Sequence, residues 1–288
     1  MPDFHHILFP VDFSERCKAV RPFVKRMAQQ FDAKLTLMHS IQIPTGWYGG
    51  FEGAYPIMFD VPAMEQEARQ RLDGFFDWPE RSKLATAVDH GDPAAYITTY
   101  AEQNNVDLIM MATHGYGKFR SLLLGSVAAK VLHDARCAVW TAAHSEDPGL
   151  AAHLECRSIL CAIELTPDSA GLIRQSVELA GKCGAKLRLV HAVPAIETRP
   201  EKYLDEDFHR ALLEFARAEI RQLQHQAGTD LEVCLEGGGV SAVVRAAALH
   251  HAADLVVIGR GKLHETLGRL RTNSYAIIRH SPCPVMSL

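Results

Sequence analysis

The chain has 288 residues, 48% of them hydrophobic, and a formal net charge of −4 at pH 7. This length is enough for two domains of ordinary size, and the slight excess of acidic residues disfavours nucleic acid as a partner. No apolar run approaches the roughly 18 residues that a membrane helix requires, and the first residues do not resemble a signal peptide. We therefore expect a cytoplasmic protein that binds neither nucleic acid nor a membrane.

Apolar runs alternate with helical patterns along the first half of the chain. Five strands are expected there, near residues 6–11, 34–40, 84–89, 107–112 and 137–142. Four helices are expected between them, near residues 15–31, 62–77, 93–104 and 126–134. This alternation predicts right-handed βαβ units and an α/β fold with a parallel sheet.

The segment 107–141 has the clearest local pattern. Its apolar run 108–112 suits a strand buried on both faces. A break at Gly115 and a polar loop follow, and Gly125 then precedes a helix for which Ser126 is the expected N-cap. Glycines let the backbone approach a ligand, and a helix start offers free N–H groups and a positive dipole end. The pattern predicts a phosphate cradle at the carboxyl ends of the strands, although such glycines also serve as turn residues.

The second half of the chain repeats the first. Residues 157–192 align without gaps to residues 5–40, an offset of 152, with identical pairs such as Leu8/Leu160 and His39/His191. A period near 150 residues is that of a domain, not of a solenoid unit. We predict a first domain over 1–145, a second over 156–288, and a linker near 143–156.

The elements of the second copy follow from the same patterns. Strands are expected near residues 158–163, 186–192, 231–235, 254–259 and 283–287. Helices are expected near residues 168–182, 201–226, 241–251 and 272–280. The last strand of each copy is short and apolar, and exposed edges of that kind invite pairing. We therefore expect the two copies to pair within the chain as a pseudo-twofold dimer, and a further homodimer stays open.

The spacing of Gly115, nine residues, and Gly125-Ser126 resembles the nucleotide-binding signature of the universal stress protein family. That signature is Gly, two residues, Gly, nine residues, Gly, and Ser or Thr, and Ala112 replaces its first glycine here. The resemblance covers nearly the whole chain as two fused copies. It implies, for each copy, a Rossmann-like or flavodoxin-like five-stranded parallel sheet with helices on both faces. It also implies that the chain binds ATP, with or without Mg²⁺.

The resemblance further implies which residues of the first copy would contact the nucleotide: Pro10, Val11, Asp12, Ser40, Met111, Ala112, His114, Gly115, Gly125, Ser126 and Val127. From the residues alone, Asp12 ends the first strand, where a carboxylate can accept hydrogen bonds from a ligand or hold Mg²⁺ through water. A second interpretation is that Asp12 and Ser14 cap the following helix, and the two roles are compatible. His39 is expected to be structural, and Lys118 and Arg120 could reach phosphates or stay in water.

The second copy departs from this pattern. Arg271 and Thr272 align with Gly125 and Ser126, so a long side chain stands where backbone should approach phosphate, and Glu164 replaces Asp12. We predict that this copy has a degenerate motif, binds no ATP and acts as a partner domain. Thr272 could still cap the last helix. Three arginines could instead bind an anion: Arg260, Arg269 and Arg271.

No catalytic or metal-binding constellation is found. The seven cysteines include no CxxC pair, and an odd count without a signal peptide predicts reduced, buried thiols. The adjacent pairs His5-His6 and His250-His251 lack partners at zinc spacing, which favours histidines in water or on a helix surface. No Walker, GxGxxG or GxSxG motif occurs. The chain is therefore not expected to be an enzyme, or at most a slow ATPase.

Two functions remain in competition at this point. The first is a universal stress protein that regulates through ATP bound in its first domain. The alternative is a stress scaffold without nucleotide, acting only through contacts with an unknown protein partner. An enzyme acting on an adenylylated substrate is a third option, which the absence of catalytic groups disfavours.

Overall fold

The computed structural model describes residues 3–42, 60–78, 80–113, 124–142, 151, 153–193, 206–260 and 269–288. In the first half, the strands are β1 His6–Pro10, β2 Lys34–Ile41, β3 Leu84–His90, β4 Leu108–Ala112 and β5 Ala138–Ala142. The helices of that half are α1 Glu15–Gln30, α2 Val61–Asp73, α3 Pro93–Gln103 and α4 Ser126–Asp134.

The second half follows the same order of elements. Its strands are β6 Ser158–Ala162, β7 Lys186–Val193, β8 Val233–Gly237, β9 Leu255–Ile258 and β10 Val285–Ser287. Its helices are α5 Ser169–Cys183, α6 Glu206–Ala227, α7 Val240–His250 and α8 Arg269–His280. The predicted α/β alternation is confirmed in both halves.

All of these strands join one ten-stranded sheet, in the order β3-β2-β1-β4-β5-β10-β9-β6-β7-β8. Neighbouring strands within each half are parallel. At the seam, β5 and β10 run antiparallel, with Trp140 opposite Met286 and Thr141 opposite Val285. The pairing expected between the last strands of the two copies is thus present. It turns the second half around, so that the carboxyl edge of each half lies beside the amino edge of the other.

The strands are buried on both faces because helices cover each side of the sheet. In β4, Leu108 and Met110 pack into one core, while Ile109 and Met111 pack into another on the opposite face. The core on the side of α1, α2 and α5 is continuous across both halves. The opposite face holds two separate cores, one in each half.

Two helices differ in length from the sequence-based expectation. Helix α2 ends at Asp73, whereas the prediction extended it to residue 77. After Gly74, the side chains of Phe75, Phe76 and Trp78 turn into the core, and Phe76 lies 6.3 Å from Phe9 between ring centroids. Burial of these aromatic rings overrides the helical pattern. Helix α8 begins three residues earlier than predicted, so Thr272 lies inside the helix and does not cap it.

An aspartate ties the start of β1 to the start of β4. Asp107 Oδ2 accepts hydrogen bonds from the backbone N–H groups of His5, at 2.8 Å, and His6, at 2.9 Å. Asp254 repeats this contact in the second half, where it accepts from Arg157 and Ser158 at 2.8 and 3.0 Å. The aligned aspartates therefore satisfy backbone donors that the strand ladder leaves free.

His6 corrects the expectation that the paired histidines lie in water or on a helix surface. It is buried in β1, with Nδ1 near the Asn104 carbonyl at 3.0 Å and Nε2 near Thr36 Oγ1 at 2.8 Å. Burial lowers the pKa of His6 below its ordinary value, partly opposed by the Asn104 carbonyl. His250, in contrast, is exposed.

Replacement of Asp107 by alanine should lower the free energy of unfolding by about 1–3 kcal/mol, because two backbone donors lose a charged acceptor. The change is measured by urea denaturation followed by circular dichroism. Asp107→Asn keeps one acceptor oxygen, and we expect it to lower the free energy of unfolding by less than the alanine variant does. Equal losses for the two variants would contradict the assigned role of the carboxylate.

Stability should fall as the pH drops below 6.5, the ordinary pKa of histidine. Below that pH, His6 takes up a proton in the unfolded chain but stays neutral in the folded protein, because burial lowers its pKa there. Urea denaturation at pH 7.5 and pH 5.5 measures the loss, and His6→Gln is expected to reduce it. His5→Gln is the matched control, because the His5 side chain is exposed. A pH dependence unchanged by His6→Gln would contradict the argument.

Candidate functional site

The candidate site lies where the strand order reverses in the first half. From β1 the chain continues to β2 on one side, while β4 lies on the other side. Ligands of open α/β sheets bind at such a switch point, just outside the carboxyl ends of the strands. The register pairs Ile7 with Leu108, and the same offset places Asp12 opposite Thr113. Neighbouring strands are about 4.8 Å apart, so both strand ends reach one crevice.

The turn after β1 holds Asp12 in a defined position. Asp12 is exposed, and its Oδ1 accepts the backbone N–H of Ser14 at 2.9 Å. Ser14 is the N-cap of α1, and its Oγ accepts the N–H of Cys17 at 3.1 Å. The capping interpretation is therefore correct for Ser14. Asp12 itself bonds the N–H of the cap residue through one oxygen and stays exposed, so capping and ligand binding remain compatible.

Phe13 has a left-handed backbone with a φ of 63°. It was not among the site residues predicted from the sequence. A bulky residue adopts this conformation at a cost of about 1–3 kcal/mol, and such strain clusters at functional sites. The ring is held by His39, at 4.8 Å between centroids, and by the Arg71 guanidinium, 3.9 Å from the ring centroid. The corresponding Leu165 of the second half has no positive φ. The strained turn is thus particular to the first half.

His39 is structural, as expected. Its Nδ1 lies 2.7 Å from the Val11 carbonyl oxygen. Because a carbonyl oxygen can only accept, Nδ1 carries the proton and donates it. The Val11 N–H donates to the Met38 carbonyl at 2.7 Å, so both backbone groups of Val11 are bonded within the protein. His191 repeats the contact with the Ile163 carbonyl at 2.8 Å, and burial lowers the pKa of this histidine. Both halves therefore fix the end of their first strand in the same way.

Helix α4 begins at the same crevice without a side-chain cap. Gly125 is its N-cap, which corrects the expectation that Ser126 takes this position; Ser126 is the first helical residue and is exposed. Gly125 N–H donates to the Thr113 carbonyl at 2.9 Å, which ties the helix start to the end of β4. The side chains of Ser14, Asp60 and Asp92 cap the three preceding helices. Within the described ranges no side chain caps α4, so its amino end offers N–H donors and a positive dipole end.

The remaining predicted residues divide between core and crevice. Met111 and the half-buried Val127 pack in one core of the first half, and Ala112, also half-buried, packs against the core on the opposite face. Pro10 ends β1 and is half-buried. Ser40 ends β2 and donates through Oγ to the Gly91 carbonyl at 3.1 Å.

Four residues that the sequence places in or near the site lie outside the described part of the chain: His114, Gly115, Lys118 and Arg120. Most of the segment 42–62, which is rich in aromatic residues and glycine, lies outside it as well.

The corresponding edge of the second half is built differently. The register of β6 with β9 places Glu164 opposite Arg260. Arg260 was expected to be available for an anion, but its Nη1 donates to the Ala135 carbonyl at the end of α4, and its Nε donates to Ser287 Oγ at 3.2 Å. Burial lowers the pKa of Arg260 from its ordinary value. This arginine therefore joins the two halves, and among the described residues its buried Nη2 atom has no hydrogen-bond partner.

The described residues provide no group of three or more His, Cys, Asp or Glu side chains that could hold a metal ion. Cys17 lies beneath the Asp12 turn, where burial and the Asp12 carboxylate raise the pKa of its thiol to about 12. A thiol of that pKa is not a nucleophile at neutral pH. The crevice thus combines a carboxylate acceptor with helix N–H donors, which suits binding more than catalysis. In the described part of the chain, no helix has the length and apolar character to cross a membrane.

Comparison with known proteins places this architecture in a family. The model of the universal stress protein family matches residues 3–142 and 155–287. Universal stress protein A homolog 1 of Coxiella burnetii is 33% identical over 144 residues, which are 48% of this chain and 96% of that protein. A universal stress protein of Methanocaldococcus jannaschii is 27% identical over 138 residues, 47% of this chain and 80% of that protein.

Among solved structures, a universal stress protein from Archaeoglobus fulgidus shares the fold along its whole length. The TM-score is 0.66 at 22% identity, and the match covers 98% of this chain and 95% of that one. A universal stress protein in complex with cAMP covers 49% of this chain and 98% of its own, with 18% identity and a TM-score of 0.34; that likeness is too low to carry its ligand over. Because the family match spans nearly the whole chain in two segments, this protein belongs to the universal stress protein family, with its domain present twice in tandem.

Proposed function

We propose that the first half binds ATP in the crevice between Asp12 and the amino end of α4, and that the protein is a regulatory module of the stress response. The observation that carries this proposal is the uncapped start of α4 at the switch point between β1 and β4. Backbone N–H groups at a helix start bind phosphate without a dedicated side chain. The proposed nucleotide-binding domain comprises residues 1–145, and residues 156–288 form its partner domain.

The two ends of the crevice suit the two ends of a nucleotide. The exposed Asp12 carboxylate can accept hydrogen bonds from ligand hydroxyl groups or hold Mg²⁺ through water, and β2 ends beside it at Ser40. The start of α4 supplies donors for the phosphates. A Mg²⁺ ion bound with ATP would offset the repulsion between Asp12 and the phosphates.

The second half lacks the matching helix start. Gly125 is the N-cap of α4, whereas the aligned Arg271 lies inside α8, which begins at Arg269. Arg271 is therefore not at a helix start, and its position does not offer the free N–H donors that follow Gly125 in α4. With Arg260 bonded across the seam, this half is proposed to bind no nucleotide and to cover the edge of the first half.

A scaffold without nucleotide is the competing function, and two observations favour it. Ala112 places a methyl group where the family pattern has its first glycine, which narrows the space for a phosphate or ribose. The backbone groups of Val11 are already bonded within the protein. In this case the protein would act only through contacts with a protein partner.

Release of bound nucleotide separates the two functions. The freshly purified protein is denatured, and the supernatant is analysed by mass spectrometry. We expect about one adenine nucleotide per chain, and its loss in Gly125→Arg, which copies the residue of the second half. Gly125→Ala is the matched control: φ is −56° here, so a side chain causes no backbone strain. No nucleotide, together with no shift in melting temperature on adding Mg-ATP, would favour the scaffold.

The two roles of Asp12 can also be separated. Asp12→Asn should weaken ATP binding, measured by calorimetry, while the melting temperature of the nucleotide-free protein stays nearly unchanged, because the amide oxygen can still accept the Ser14 N–H. Ser14→Ala should leave the affinity for ATP nearly unchanged and lower the free energy of unfolding by about 1 kcal/mol, because the helix cap is lost. Equal affinity of Asp12→Asn and the wild-type protein for ATP would contradict the ligand role.

A further inference from the structure

A cleft of about 210 Å³ lies between the two halves, away from the proposed nucleotide site. Its apolar lining comes from both halves: Phe23, Met27, Trp140, Leu154, Leu255 and Pro284. Two cysteines, Cys156 and Cys183, also line it, and both are partly accessible. Neither the nucleotide site nor the seam hydrogen bonds use these thiols.

The two cysteines line the same cleft. Cys156 precedes β6, and Cys183 is the last residue of α5. The internal repeat supports this juxtaposition independently. The same offset of 152 residues maps them onto Phe4 and Phe31, whose rings are in contact in the first half with centroids 4.9 Å apart. The fold therefore brings these two positions together in each half.

The change from an aromatic pair to a thiol pair has a chemical consequence. Two phenylalanine rings fill their site and are inert, whereas two smaller thiols leave space beside them and can be oxidised. Three of the other five cysteines contrast with this pair. Cys17, Cys161 and Cys283 are buried, and burial raises the pKa of each of these thiols to about 12. Thiols of that kind react slowly with oxidants, because the thiolate is the reactive form.

A cation lies beside the pair. Arg26 belongs to α1 of the first half and lines the same cleft as the two cysteines. The neighbouring Cys156 lowers the pKa of the Cys183 thiol, burial opposes this shift, and the positive charge of Arg26 adds to it. A cysteine near a cation, with a second cysteine beside it, is the arrangement of an attacking and a resolving cysteine.

We propose that Cys156 and Cys183 are a redox modification site, which hydrogen peroxide converts to an intramolecular disulfide and a thiol reductant restores. The Cys183 thiolate attacks one peroxide oxygen, breaks the O–O bond and becomes a sulfenic acid, with water as the product after protonation. The Cys156 sulfur then attacks the Cys183 sulfur, its proton is lost, and hydroxide leaves as a second water. Two thiols are oxidised and one peroxide is reduced to two waters.

The disulfide would act where the halves meet. The residue before Cys183, Lys182, accepts a hydrogen bond from Gln30 of α1 at 2.6 Å through its carbonyl, and its ammonium group lies 2.9 Å from Asp3. Closing the disulfide fixes this end of α5 to the segment that leads into β6. The oxidation state is thus linked to the contact between α1 and α5.

The test treats the full-length, reduced protein with an equimolar amount of hydrogen peroxide. Peptide mapping without reduction is expected to find Cys156 joined to Cys183 as the main oxidised species, and dithiothreitol should reverse it. A main product that joins Cys156 to Cys283, or that carries sulfinic acid on Cys183 without a disulfide, would overturn the proposal. So would complete retention of both thiols while other cysteines are oxidised.

Single variants provide the controls. Cys156→Ser should leave Cys183 as a sulfenic acid, which a dimedone probe traps, whereas Cys183→Ser should leave Cys156 reduced. Cys234→Ser is the matched control, since Cys234 is also partly accessible but lies beside His251 and outside the cleft; it should form the disulfide at the wild-type rate. Arg26→Gln should slow disulfide formation several-fold without changing the melting temperature. An unchanged rate in Arg26→Gln would contradict the contribution of the first half.

Discussion

The antiparallel pairing of β5 with β10 is the contact on which the rest of this molecule depends. Each strand would otherwise be an exposed, apolar sheet edge, which is a site for uncontrolled association. Paired with one another, Trp140 and Met286 are almost completely buried, and one core continues under both halves. The pairing also reverses the second half. That reversal brings Arg260, at the carboxyl edge of one half, to the end of α4 in the other.

Duplication preserved the framework and allowed the special sites to diverge. Asp107 and Asp254 make the same backbone contacts in the two halves, and His39 makes the same contact as its counterpart. The halves differ at the turn after the first strand, at the start of the last helix, and at the pair of positions before the first strand and after the first helix. These are the places where the proposed nucleotide site and the proposed thiol pair lie. Side chains that only support the sheet are the ones that both halves share.

Much of this architecture could be predicted from the sequence because it rests on local chemistry. Strand and helix alternation follows from apolar periodicity, and the repeat followed from alignment of one half with the other. The position of the candidate site at the carboxyl edge of the sheet could also be predicted, because parallel strands direct Asp12 and the loop after β4 to one place. The predicted N-cap of α4 was wrong: Gly125 takes this position instead of Ser126, and its N–H donates to the Thr113 carbonyl, a contact that spacing does not reveal.

By itself, the sequence determined the class of fold, the two copies and the family, because these depend on patterns that recur along the chain. Contacts between distant segments decided the rest. Burial of Phe75 and Phe76 ended α2 early, and the sheet enclosed His6, which was expected to lie in water or on a helix surface. Arg260 donates a hydrogen bond to the Ala135 carbonyl across the seam, and Cys156 and Cys183 line one cleft although 27 positions separate them in the chain. The energy of each such group depends on its neighbours in space, which only the tertiary structure brings together.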